Sequence, residues 1–175
     1  ITIPEGVESI DNLAFIGCQA LENVTIPSSV TNFGGGVFAR CANLKSVSLA
    51  ESNLEYVIKD GLLLTKDGTT IVSSVTDLFS IPDGVTSIGN YALAGSGLTE
   101  LTLPQSVTNI GVLAFGLCDN LRSVTIPANV TSIGVVPFAD STNIISFVVA
   151  EDNPNYKSLD GHLLSKDGKT FLSGV

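Results

Sequence analysis

Three cysteines and one histidine carry most of the reactive side-chain chemistry in this 175-residue chain. A cysteine nucleophile needs a base beside it. The sole histidine, His162, sits in an apolar run whose copy one hundred residues earlier has Leu62 at that place. The position does not require imidazole, and His162 reads as an ordinary strand residue. Zinc would need ligand pairs such as Cys-x-x-Cys with further Cys or His, and none occurs. Asp67-Gly68 and Asp167-Gly168 invite a calcium reading, but neither segment has the alternating acids and closing Glu of an EF-hand loop. They read as turn residues. Gly34-Gly35-Gly36 is followed by no phosphate-binding Lys and reads as a local variant of a turn. Cys18 and Cys41 are 23 residues apart in successive repeat units. Stacked units would bring their backbones to about 4.8 Å, which permits a disulfide, although small structural thiols are the commoner use of such a column. Cys118 has Ser96 and Ser141 as column neighbours, and therefore no cysteine partner. No catalytic residue, metal site or cofactor site is expected, and the chain reads as a non-enzyme.

The elements that position these residues are repeats. Ile3-Pro4 returns as Ile26-Pro27, Ile81-Pro82, Leu103-Pro104 and Ile126-Pro127, with Leu49-Ala50 and Val149-Ala150 in the same phase. The intervals are 23, 23, 32, 22, 23 and 23 residues, which makes seven units. Apolar columns recur within each unit: Leu21, Leu44, Leu98, Leu121 and Ile144; then Val24, Val47, Leu101, Val124 and Phe147; then Phe15, Phe38, Leu93, Phe115 and Phe138. One unit cannot bury such a face alone, whereas stacked units turn each column into a ladder through a core. Val24-Thr25-Ile26 alternates with the period of a strand, and the proline that follows ends it. Asp11 to Gln19 has Gly, Ala and Phe without a sustained helical period, and is read as a turn with a short helical or 3₁₀ segment.

A longer period overlies the first. Residues 1–75 align without a gap on residues 101–175, with 34 of 75 positions identical. The long unit contains Asp60-Gly61-Leu62-Leu63-Leu64-Thr65-Lys66-Asp67-Gly68, repeated as Asp160-Gly161-His162-Leu163-Leu164-Ser165-Lys166-Asp167-Gly168. Apolar runs around Lys-Asp-Gly predict a hairpin, so two inserted β-hairpins are expected. No stretch has linker composition, so residues 1–175 read as a single solenoid domain. The last copy stops six residues short of the next Ile-Pro phase, and a fragment of a longer array is expected.

Charge narrows the function. Seventeen acids against eight bases leave a formal net charge of −9, which argues against phosphate-led binding of nucleic acid. No apolar run approaches the roughly 20 residues that span a bilayer. Stacked Val, Ile and Leu columns account for 44% apolar residues with only 6% aromatics.

The pattern Ile-Pro-x-x-Val-x-x-Ile-Gly-x-x-Ala-Phe-x-x-Cys-x-x-Leu-x-x-Val-Thr, seen in Ile3 to Thr25 with Asp11 in place of the Gly, resembles the BspA-like leucine-rich repeats of bacterial and some protist surfaces. The Tyr156-x-x-x-Asp160-Gly161-x-Leu163-Leu164-x-Lys166-Asp167-Gly168 segment is similar to an insert common in those arrays. Two units depart by carrying Ser96 and Ser141 for Cys, and no Asn follows the strand as in the general leucine-rich pattern. The resemblance implies an α/β repeat solenoid, a right-handed leucine-rich-repeat arc with a concave parallel β-sheet. It also implies a secreted or cell-surface location and a role in protein or glycan binding, adhesion to host molecules among them.

On such an arc the outward strand positions form the binding face. One outward column is Asn23, Ser46, Leu78, Glu100, Ser123 and Ser146, and the next is Thr25, Ser48, Ser80, Thr102, Thr125 and Val148. At the leading edge lie Glu22, Lys45, Asp77, Thr99, Arg122 and Ile145. The candidate surface is therefore Asn23, Thr25, Ser46, Ser48, Glu100, Thr102, Arg122, Ser123, Thr125 and Ser146. The competing reading is a structural spacer with no ligand of its own, although seven coils would extend only about 34 Å. Exposed coils at both ends predict end-to-end self-association.

Overall fold

The computed structural model describes residues 1–76 and 79–174. Asp77, Leu78 and Val175, which the sequence patterns include, lie outside the described residues. Among the described residues every regular element is a strand. In chain order these are β1 (Ser9–Ile10), β2 (Asn23–Ile26), β3 (Asn32–Phe33), β4 (Ser46–Leu49), β5 (Tyr56–Lys59), β6 (Leu62–Thr65), β7 (Thr70–Ser74) and β8 (Ser87–Ile88). They continue as β9 (Glu100–Thr102), β10 (Asn109–Ile110), β11 (Ser123–Ile126), β12 (Ser132–Ile133), β13 (Ser146–Val149), β14 (Tyr156–Leu159), β15 (His162–Ser165) and β16 (Phe171–Ser173).

The repeat columns become parallel ladders. β2 pairs with β4, and β9, β11 and β13 form a second ladder on the same phase of the coil. On another side, β1 pairs with β3, while β8, β10 and β12 stack in parallel. Alternation puts Val24 and Ile26 inside and Asn23 and Thr25 outside. Phe115 and Phe138 stack at 5.4 Å between ring centres, and Phe15 and Phe38 at 5.8 Å. The aromatic column is thus a core ladder in both halves.

The expected short helical or 3₁₀ segments are absent among the described residues, and the α/β assignment is corrected to β with turns. Two left-handed residues per turn account for this. Leu13, Gly36, Tyr91, Leu113 and Val136 share one column with φ between 46° and 59°. Gly17, Arg40, Gly95, Leu117 and Asp140, four residues on, share another with φ between 57° and 68°. A right-handed helix cannot pass through such residues. Instead alternate amides reach the neighbouring coil, as in Leu13 N–H to Gly35 O (3.0 Å), Phe15 N–H to Val37 O (2.9 Å) and Gly17 N–H to Ala39 O (2.9 Å). Val136, β-branched at φ 46° and half exposed, carries strain that a glycine at its column position, as at Gly36, would not. Val136→Gly is expected to stabilise the fold by about 1 kcal/mol, read as a higher urea midpoint.

The inserts also differ from expectation. Each is a three-stranded antiparallel meander, β5-β6-β7 and β14-β15-β16, and not a single hairpin set into the repeat. In the first, the third strand β7 goes on to pair in parallel with β8 and so becomes a rung of the stack. β6 is the seam between two cores. Leu63 belongs to the core cluster that holds Ile26, Val30 and Phe38, while Leu62 and Leu64 belong to the one that holds Ile88, Leu93 and Phe115. Burial of both faces explains why Leu62-Leu63-Leu64 does not alternate. In the second meander Leu163 is buried, while His162 and Leu164 are half-buried, with the His162 ring 5.4 Å from Phe171.

Asp67 and Asp167 organise the second turns. Asp67 Oδ1 accepts from Thr65 Oγ1 (2.7 Å), Thr69 N–H (3.0 Å) and Thr69 Oγ1 (2.9 Å). Asp167 Oδ1 accepts from Ser165 Oγ (2.6 Å) and Lys169 N–H (3.0 Å). These bonds, led by those from Thr65 and Ser165, hold both carboxyls below the ordinary Asp value of 3.8. Because the folded value is depressed, the stabilisation is present above the unfolded value and is lost as pH falls through the folded one. Paired Asp67→Asn and Asp167→Asn variants should therefore flatten the fall in urea midpoint below pH 3.8 relative to the parent chain.

Candidate functional site

The ten candidate surface residues fall on two ladders. Asn23, Thr25, Ser46 and Ser48 lie on β2 and β4, with Asn23 opposite Ser46 and Thr25 opposite Ser48. All four are exposed. Their side chains engage one another: Ser46 Oγ donates to Asn23 Oδ1 (2.7 Å) and Ser48 Oγ to Thr25 Oγ1 (3.4 Å). At the leading edge Lys45 Nζ sits 2.9 Å from Glu22 Oε2. That hydrogen bond, with the lysine charge behind it, holds the Glu22 carboxyl below its ordinary value.

The second ladder is chemically different. Ser123 on β11 lies between Glu100 on β9 and Ser146 on β13, and Thr125 lies between Thr102 and Val148. Arg122 precedes β11, its amide donating to Thr99 O (2.9 Å) and its carbonyl accepting from Ile145 N–H (2.8 Å). Its guanidinium forms no ion pair among the described residues. Ile145, whose amide meets the Arg122 carbonyl, and Val148, opposite Thr125 on β13, are 65% and 53% exposed, large values for aliphatic side chains. The outward alternation thus places every candidate residue on a strand or its edge, but it separates them into a self-paired set and an open set. Ile145 and Val148 stood in the sequence columns without being singled out, and their aliphatic type among Ser and Thr was the available signal.

The cysteine column is a ladder of short polar side chains. Ser141 Oγ donates to Phe115 O (2.7 Å), Cys41 Sγ to Phe15 O (3.0 Å) and Cys118 Sγ to Leu93 O (3.3 Å). The position needs a short donor that reaches the coil before it, which is why Ser and Cys exchange there. Cys118 is buried as the column predicts, and burial pushes its thiol up. Cys18 is exposed and Cys41 half-buried.

Two further side chains were not singled out as functional. Tyr56 caps the outer edge of β3: its hydroxyl accepts from Phe33 N–H (2.9 Å) and donates to Thr31 O (3.3 Å). One phenol thereby serves groups that a following rung would otherwise pair. Tyr156 accepts from Ile133 N–H (2.9 Å) in the second half. Buried Asn53 and Asn153, three residues earlier, accept from the Tyr amides through Oδ1 at 3.0 and 2.8 Å. Asn-x-x-Tyr was the visible signal. A polar groove of about 360 Å³ lies near β3 and β7, lined by Asn12, Asn32 and Asn90 among others. Asn12 and Asn90 are engaged there by Gly35 N–H (2.7 Å) and Val112 N–H (2.8 Å). Among the described residues no three His, Cys, Asp or Glu side chains cluster as a metal site, and no helix is long and apolar enough to cross a membrane.

Stacked parallel strands of Leu-x-x-Val-x-Ile type, with an outward polar face and turns in place of helices, define a leucine-rich-repeat β-solenoid. The chain belongs to the BspA type leucine rich repeat region family, whose profile matches in six copies over residues 1–62 and 72–162. No curated protein matches the chain. Among solved structures it is similar to a leucine-rich repeat protein from Eubacterium ventriosum, at 26% identity and a TM-score of 0.73 over 85% of this chain. It is also similar to a leucine rich cell surface protein from Faecalibacterium prausnitzii, at 26% identity and a TM-score of 0.50 over 95% of this chain. The chain spans 41% and 52% of the lengths of those two proteins. Neither the family nor these neighbours indicate an enzyme.

Proposed function

We propose that the chain is a non-enzymatic binding region of an extracellular or cell-surface protein, forming one repeat array over residues 1–175. In this reading the outward face of β9, β11 and β13 takes a protein ligand, with glycans as the second ligand class. The observation that carries it is the difference between the two ladders. On β2 and β4 the polar side chains satisfy each other. At the edge of β9, β11 and β13, Arg122, which forms no ion pair among the described residues, stands beside exposed Ile145, with exposed Val148 opposite Thr125 further along the ladder. Arginine is among the residue types that carry most binding energy at protein interfaces, and the exposed isoleucine adds apolar area to be buried beside it. The similarity to a cell surface protein supports the location, and adhesion to a host molecule is one form the binding takes.

The test is capture on protein and glycan arrays by the immobilised chain. Arg122→Ala, with Ile145→Ser, is expected to lower retention about tenfold or more. Ser46→Ala on the self-paired ladder should leave it within about twofold of the parent. Retention no higher than that of an unrelated solenoid would favour the spacer reading, which the self-satisfied first ladder supports.

A further inference from the structure

Cys18 and Cys41 occupy the same position in successive coils, and hydrogen bonds lock those coils together on both sides of the pair. Gly17 N–H donates to Ala39 O (2.9 Å) and Gln19 Nε2 to Arg40 O (2.8 Å). Cys41 Sγ points back at the first coil and donates to Phe15 O (3.0 Å), three residues before Cys18. The second half of the chain shows how close column neighbours come. Ser96 Oγ and Cys118 Sγ, related to each other as Cys18 is to Cys41, lie 3.4 Å apart with both residues buried. Ser141 Oγ, which stands where Cys41 stands, accepts from Cys118 N–H at 3.0 Å. Backbones at about 4.8 Å fall inside the window of about 4.4–6.8 Å between Cα atoms that a disulfide needs. At Ser96 and Cys118 the side-chain atoms of column neighbours already meet, and in the first half Cys41 Sγ is held against the coil that carries Cys18.

We propose that Cys18 and Cys41 form a reversible intercoil disulfide by exchange with a small-molecule disulfide, clamping the first two coils beneath the β2–β4 ladder. The exposed Cys18 is the thiol that solvent-borne reagents reach first. Its thiolate attacks one sulfur of the reagent, the reagent's S–S bond breaks, and one thiolate leaves and takes up a proton. Cys41, deprotonated, then attacks the Cys18 sulfur of the mixed disulfide and expels the second reagent thiol. Two protein thiols are oxidised and one reagent disulfide is reduced to two thiols, so atoms and electrons balance. Burial pushes the Cys41 thiol above its ordinary value, so the closing step quickens as pH rises. Cys118 takes no part, being buried between Ser96 and Ser141.

The test incubates the intact chain with oxidised glutathione at mildly alkaline pH and reads intact mass, free thiols and a non-reducing peptide map. The expected result is loss of two hydrogens, one remaining thiol at Cys118, and a linked Cys18–Cys41 peptide pair. The melting midpoint should rise by about 5–10 °C and fall back on reduction. Cys41→Ser keeps the hydrogen-bonding role that Ser141 already fills, and should stop at a glutathione adduct on Cys18. A stable adduct on Cys18 of the parent chain with Cys41 still free would overturn the proposal, as would chains joined in pairs through Cys18.

Discussion

Gly35→Ala is expected to lower stability by about 3 kcal/mol or more, read as a large drop in urea midpoint at unchanged slope. A Cβ at Gly35 would collide with the carbonyl oxygen of Asn90 and lie 2.8 Å from its carbonyl carbon. The obstacle is backbone, so no side chain can turn aside. Neighbouring Gly36 is hemmed in by Tyr91 O at 2.6 Å and Leu13 Cδ2 at 3.0 Å. The crowding has a topological cause. After β4 the chain leaves the repeat path to make the first meander, so the turn holding Gly34-Gly35-Gly36 packs directly on the turn of the unit beginning near Ile81. Arg40 and Asp119, 79 residues apart, are joined across the same region at 2.7 Å. The copy of Gly35 in the second half is Val135, 70% exposed, so the turn conformation by itself accepts a side chain. Val135→Ala should therefore shift stability by less than about 0.5 kcal/mol. A Gly35→Ala midpoint equal to that of the parent would mean that the two turns do not touch in solution.

That contrast also shows where sequence reading reaches and where it stops. The apolar columns were legible because each is set by its own unit and repeated: Val24, Val47 and Val124 occupy equivalent rungs, as their spacing requires. The outward residues were legible for the same reason, since alternation alone sends Thr25 and Thr125 to the surface. The turns are not legible in the sequence because a left-handed backbone at Leu13, Tyr91 and Leu113 leaves no glycine to announce it. Gly34-Gly35-Gly36 looked local because the group that demands it, Asn90, is 55 residues away in sequence. Division of the candidate face into a paired and an open ladder depends on which neighbours meet across strands. Ser46 meets Asn23, whereas Ser123 meets Glu100 and Ser146. Single residue types carry no record of that pairing.

Asn153→Ala should cost about 3 kcal/mol, a large effect for removing a polar side chain from a turn. The carboxamide is fully buried and makes four bonds. Its Nδ2 donates to Pro127 O (2.9 Å) and Val130 O (3.0 Å), while Oδ1 accepts from Asn155 N–H (2.9 Å) and Tyr156 N–H (2.8 Å). Alanine strands all four partners where water does not readily replace the lost group, and each unpaired buried polar group is penalised. Exposed Asn143 donates to Asp119 O (2.6 Å), and its loss should cost under about 1 kcal/mol because solvent can serve the freed carbonyl. Tyr156→Phe removes only the hydroxyl that accepts from Ile133 N–H, and should cost about 1–2 kcal/mol. Since Asn153 fixes the backbone from which Tyr156 reaches β12, the double variant should lose less than the two single losses added together. A double-mutant cycle measures that difference. Strict additivity would show that the asparagine and the tyrosine act separately, the first closing the turn and the second capping the strand without help from it.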